Sequence, residues 1–169
     1  TQIHVRRCTP DTAPRAVLQI AHGIAEHVER YDEFAAYLAE NGFLVVANDH
    51  LGHGQSVSAD GELGHFADEN GWMTAVGDMH RLYQLTHAEF PELPYFLFGH
   101  SMGSFLTRTY LLRWSEGLSG AVICGTGQQP AAVVAGGKLA SALEIKKHGP
   151  RYHSDKLNSL AFGGYNKAF

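Results

Sequence analysis

Tyr95-Phe96-Leu97-Phe98-Gly99-His100-Ser101-Met102-Gly103 is the stretch that decides the fold. Four apolar residues after Pro94 read as a strand covered on both faces. Residues 101–114 then read as a helix, so the G-x-S-x-G motif falls on a strand-to-helix turn. A serine on such a turn has a strained backbone. Glycines two positions before and after it remove side chains that would clash, and its hydroxyl is lifted out at the carboxyl edge of the sheet. The amino end of the following helix offers free N–H groups and a favourable dipole beside any developing negative charge. These features make Ser101 the candidate nucleophile, with Gly99, His100 and Gly103 supporting the turn.

Working outward, residues 16–21 and 43–47 are short apolar runs of the kind found in buried parallel strands. Between them Tyr31, Phe34, Ala35 and Leu38 recur at helical spacing, and Asn41-Gly42 supplies a stop. Trp72, Ala75, Val76, Met79, Leu82 and Tyr83 mark a longer helix before the central strand, and residues 121–124 form a further strand. Residues 3–7 alternate apolar and polar, as in a half-buried strand. Alternating strands and helices imply a mostly parallel sheet with helices on both faces. After Gly125-Thr126-Gly127 the alternation stops. Residues 131–169 are polar and glycine-rich around one helical candidate at 138–147.

Two loops at the same sheet edge accompany the serine. In His22-Gly23-Ile24-Ala25-Glu26-His27, which follows the strand at 16–21, Gly23 frees the backbone to approach closely. The N–H groups of Ile24 and Met102 are the candidate pair converging on one oxygen. His22 and His27 read as loop histidines with hydrogen-bonding or surface roles. In Asp49-His50-Leu51-Gly52-His53-Gly54-Gln55-Ser56, a dinucleotide site would need a third glycine where Val57 stands. The segment reads as a turn in which Asp49 and Ser56 brace backbone groups.

Composition narrows the chemistry. With 44% hydrophobic and 18% charged residues the 169-residue chain can fold around a core, and a net charge of −4 without basic runs argues against nucleic acid. Eleven histidines raise the question of a metal, but no H-E-x-x-H spacing occurs and neither cysteine has a nearby partner. No metal and no cofactor are expected. Cys124 reads as a small buried hydrophobe. The lack of a long apolar run or a leader-like amino end gives the expectation of a soluble, cytoplasmic protein.

The three motifs, with Arg30-Tyr31 after the first, resemble the monoacylglycerol lipase and lysophospholipase branch of the α/β-hydrolase family over residues 15–127. The resemblance implies an α/β-hydrolase fold, Ser101 as nucleophile, Ile24 and Met102 as oxyanion donors, and a mobile cap beginning near residue 128 over an acyl-chain pocket. The division is thus 1–127 for the core and 128–169 for the start of the cap. The implied substrate is a small lipid ester, monoacylglycerol or lysophospholipid, with transient contact at a membrane surface left open and the oligomeric state unread. In this family the triad acid and histidine follow two further strands, which this sequence does not display. Glu116, Glu144, Asp155, His148 and His153 are weak substitutes. The expectation is an amino-terminal fragment, inactive alone, whose acid and histidine lie outside it. A non-catalytic acyl-binding module, a peptidase and a thioesterase are the alternatives. Dehalogenases and epoxide hydrolases are disfavoured because they place an aspartate at the position of Ser101.

The apolar residues Ala132, Val133, Val134, Leu139, Ala142, Leu143 and Ile145 suit either an acyl site or the core face of an ordinary amphipathic helix.

Overall fold

The computed structural model describes residues 2–57 and 63–163. It divides into two units, Thr1–Thr126 and Gly127–Phe169. In the first unit the elements run β1 (Val5–Cys8), β2 (Ala16–Ala21), α1 (Asp32–Glu40), β3 (Phe43–Asn48), α2 (Gly71–Glu89), β4 (Tyr95–His100), α3 (Met102–Trp114) and β5 (Gly120–Cys124). They form a five-stranded sheet in the order β1-β3-β2-β4-β5. All neighbours are parallel except β1, which pairs antiparallel with β3.

The side chains of β2 explain why helices cover both faces. Val17 and Ala21 point into a cluster with Leu44, Val46, Leu97, Met79 and Leu106, beneath α2 and α3. Leu18 and Ile20 point the other way, toward Val28, Val45 and Ala47 beneath α1. Strict alternation along a strand thus produces two buried faces, and a run apolar on both is what such a strand needs. Gln19 is the polar exception. Its amide donates to the Met79 carbonyl at 2.9 Å and its oxygen accepts the Tyr95 hydroxyl at 2.7 Å, so the buried group is satisfied.

The strand order creates the site. From β2 the chain passes through α1 to β3 on one side, then crosses back through α2 to β4 on the other. The loops leaving the carboxyl ends of β2 and β4 therefore start side by side and diverge. Such switch points are where open α/β sheets bind ligands.

Two expectations need correction. Cys124 is exposed rather than buried, because β5 is an edge strand whose only neighbour in the described sheet is β4. In the second unit the helical candidate at 138–147 is the end of a longer helix, α4 (Ala131–His148), and it buries none of its residues. A second helix, α5 (Asp155–Phe162), packs against α4 and has no counterpart in the sequence reading. Smaller shifts occur at β1, which begins at Val5, and at α2, which extends to Glu89.

Candidate active site

Ser101 stands between the last residue of β4 and the first of α3 with φ +52° and ψ −118°. This left-handed conformation is one that residues with a Cβ seldom adopt, and it costs on the order of 1–3 kcal/mol unless the surroundings enforce it. Here they do. The Ser101 N–H donates to the Cys124 carbonyl of β5 at 3.0 Å, and the Ser101 carbonyl accepts both the N–H of Ser104 at 2.9 Å and its hydroxyl at 2.6 Å. The turn is tied to the sheet on one side and to the helix on the other.

The two motif glycines are required by contact. A Cβ on Gly103 would run into the Ala21 carbonyl at the end of β2 and lie 2.6 Å from the carbonyl oxygen of His22 just beyond it, and one on Gly99 would collide with Gly103. Met102 is the first residue of α3, so its N–H has no acceptor inside the helix.

The loop after β2 lies directly against the serine. A Cβ on Gly23 would fall 3.2 Å from the Ser101 Cβ and 2.7 Å from Glu26 Oε1, tighter than such atoms usually pack, so a larger residue here requires the loop, the serine or the Glu26 carboxylate to shift. Ile24 follows, half exposed, and Ala25 at φ +56° bends the loop back. Glu26 is 7% exposed and sits beneath this bend. Its Oε1 accepts the Gly23 N–H, the Tyr31 hydroxyl at 2.7 Å and His100 Nδ1 at 3.2 Å, while Oε2 pairs with Arg30 at 3.0 Å. Burial pushes this carboxyl upward, but the hydrogen bonds from Tyr31, Gly23 and His100 outweigh burial and hold it below its ordinary value.

Behind the loop is a histidine cluster. His22 and His50 are fully buried with ring centroids 4.2 Å apart, and the His53 ring lies 5.3 Å from that of His22. His22 Nδ1 contacts its neighbour's carbonyl, Gly23, at 2.8 Å, and its Nε2 faces the His50 N–H at 2.9 Å. A carbonyl can only accept and an N–H can only donate. His22 is therefore the neutral tautomer protonated on Nδ1. Burial, with a smaller contribution from His53, holds His22 below its ordinary value, and burial beside His22 and His53 holds His50 well below.

The Asp49 turn braces backbone as expected. Its carboxylate accepts the Val28 and Gln55 N–H groups, each at 2.8 Å, and the Ser56 hydroxyl oxygen accepts the His4 N–H at 2.9 Å. No group of histidine, cysteine and carboxylate side chains among the described residues is arranged to hold a metal ion. Nor is any described helix long and apolar enough to cross a membrane.

The structure brings Gly23, Glu26, Gly99, His100, Ser101 and Gly103 together. It does not bring Glu116 to them, which lies past the far end of α3, about 20 Å along the helix from Ser101. In the second unit Glu144 accepts the Ser154 hydroxyl at 2.9 Å and pairs with Lys156, and His148 stacks on Tyr152. His153 and Asp155 flank Ser154, whose oxygen caps α5. Sequence reasoning missed Glu26. The one available signal was a carboxylate three residues beyond a glycine at a sheet edge.

The chain is similar to known proteins in sequence and in fold. A family profile, Hydrolase_4, described as serine aminopeptidase, S33, matches residues 12–159. A monoacylglycerol lipase of Mycolicibacterium smegmatis is 35% identical over 147 residues, 82% of this chain and 50% of the relative. The structure of a thermostable carboxyl esterase from Bacillus coagulans, in complex with glycerol, superimposes with a TM-score of 0.77 at 35% identity, covering 86% of this chain and 46% of the esterase. A lipase in its open form superimposes with a TM-score of 0.84 at 29% identity, covering 99% of this chain and 54% of the lipase. The chain thus spans about half the length of the relatives it matches. With the profile covering most of the sequence, the chain belongs to the Hydrolase_4, serine aminopeptidase S33, family, and its superposition on these structures shows an α/β-hydrolase fold.

Proposed function

We propose that the whole protein is a serine carboxylic-ester hydrolase acting on a monoacylglycerol or lysophospholipid, with residues 128–169 opening its cap. The observation that carries this reading is the packing of Gly23 against Ser101 at the strained turn, which sets a loop backbone beside a serine at a helix amino end. In the proposed reaction the Ser101 oxygen attacks the ester carbonyl carbon as a base removes its proton. The negative oxygen of the tetrahedral intermediate is held by the N–H groups of Ile24 and Met102. Collapse expels glycerol or the deacylated glycerophosphodiester as its alkoxide, which takes a proton, and leaves an acyl-enzyme on Ser101 that water then hydrolyses. The base is assigned to none of the histidines in the cluster or the second unit. His22 has both ring nitrogens engaged, Nδ1 with the Gly23 carbonyl and Nε2 with the His50 N–H, and His148 is stacked on Tyr152.

The lipid ester is favoured because relatives similar to the chain include a monoacylglycerol lipase and a carboxyl esterase. The family description names a peptidase, so the test sets esters against amides. Fatty-acid release from 1-monoacylglycerols and p-nitrophenyl esters of graded length is expected, with little from aminoacyl p-nitroanilides. Preferential cleavage of the anilides would replace the lipase reading with a peptidase.

A further inference from the structure

Glu26 has no part in the proposed reaction, yet its side chain bonds to both halves of the site. Its Oε1 holds the N–H of Gly23, the residue before the proposed donor Ile24, and Nδ1 of His100, the residue before Ser101. The same oxygen takes the Tyr31 hydroxyl, and Arg30 closes on Oε2 from the following turn. These contacts reach three segments: the loop after β2, the turn leading to α1, and the end of β4. A nearly buried carboxylate with four donors is rigid, and rigid placement of donors is what stabilises an oxyanion.

We propose that Glu26 is a positioning residue that fixes the separation between the Ile24 and Met102 N–H groups by clamping Gly23 to His100. The inference rests on the esterase reading. It acts through geometry, so its effect falls on the transition state rather than on substrate binding. Removing the clamp lets the Gly23 loop move against the serine turn, and a displacement near 1 Å costs roughly 10²-fold in rate.

The experiment uses the whole protein and three measurements: kcat, KM, and affinity for an alkyl boronic acid, whose tetrahedral adduct on serine mimics the intermediate. Glu26→Ala is expected to lower kcat about 10²-fold with KM changed no more than about twofold, and to weaken boronate binding by the same factor as kcat/KM. Glu26→Gln keeps an acceptor oxygen at the Oε1 position and is expected to recover part of the loss. Should Glu26→Ala fail to fold, Glu26→Gln decides, with an expected loss of about tenfold in kcat. Unchanged kcat and boronate affinity in a folded variant would overturn the inference and leave the esterase reading intact. So would losses explained by the folded fraction alone. A wild-type protein without Ser101-dependent turnover would overturn both.

Discussion

Gly23 and Ser101, 78 positions apart in sequence, meet so closely that a single methyl group on the glycine would fall 3.2 Å from the Ser101 Cβ and 2.7 Å from Glu26 Oε1. The site therefore depends on backbone from one loop lying against a side chain from another. Gly23→Ala crowds both the serine and the Glu26 carboxylate, so the loop, the serine or the carboxylate must shift. It is expected to lower kcat/KM for esters by at least about tenfold while the circular dichroism spectrum stays that of the wild type. Wild-type kinetics in this variant would show that the loop is not part of the site.

The strained serine gives a stability prediction independent of turnover. At φ +52° a Cβ is penalised and glycine is not. Ser101→Gly is expected to be inactive but about 1 kcal/mol more stable than Ser101→Ala, after allowing for the greater unfolded-state entropy of glycine. Urea titration of the two variants measures the difference. Equal midpoints would mean that the turn stores no strain.

Asp49 is expected to matter for folding rather than for chemistry. Asp49→Ala strands the buried N–H of Val28 and frees that of Gln55. The cost of leaving such groups unpaired is on the order of 1–3 kcal/mol, read as a lower urea midpoint with KM and kcat of the folded fraction unchanged.

The histidine cluster sets the response to acid. His22 and His50 are held below their ordinary values in the folded protein, so between those lowered values and about pH 6.5 the unfolded chain binds more protons than the folded one. Their contribution to stability is complete above about pH 6.5 and is lost as the pH falls below it. The melting temperature is expected to drop between pH 7.5 and pH 5, and His50→Gln, which cannot titrate, is expected to show a shallower drop. A slope equal to that of the wild type would place the acid sensitivity elsewhere.

The central turn is legible in the sequence because its determinants are local: an apolar run, two glycines at fixed offsets and a helix, all within residues 95–114. The same holds for the Asp49 turn, where glycine and aspartate dictate a bend at short range. Other features depend on contacts far apart in sequence. Nothing near Glu26 announces that His100, 74 positions later, will share its oxygen with Gly23. The apolar run at Cys124 suggests burial, but burial depends on what lies beyond β5 rather than on the run itself. In α4 the Gly136-Gly137 pair interrupts the helical signal, so the periodic stretch starts at Lys138 although the helix begins at Ala131. The antiparallel pairing of β1 on β3 has no local signature at all.

The most direct test of Ser101 as the nucleophile is labelling of the whole protein with an alkyl fluorophosphonate, followed by peptide mass mapping, beside the ester turnover of Ser101→Ala. One phosphonylated residue, Ser101, is predicted, with loss of both labelling and hydrolysis in the variant. Labelling of a different residue, or ester hydrolysis that survives Ser101→Ala, would contradict it.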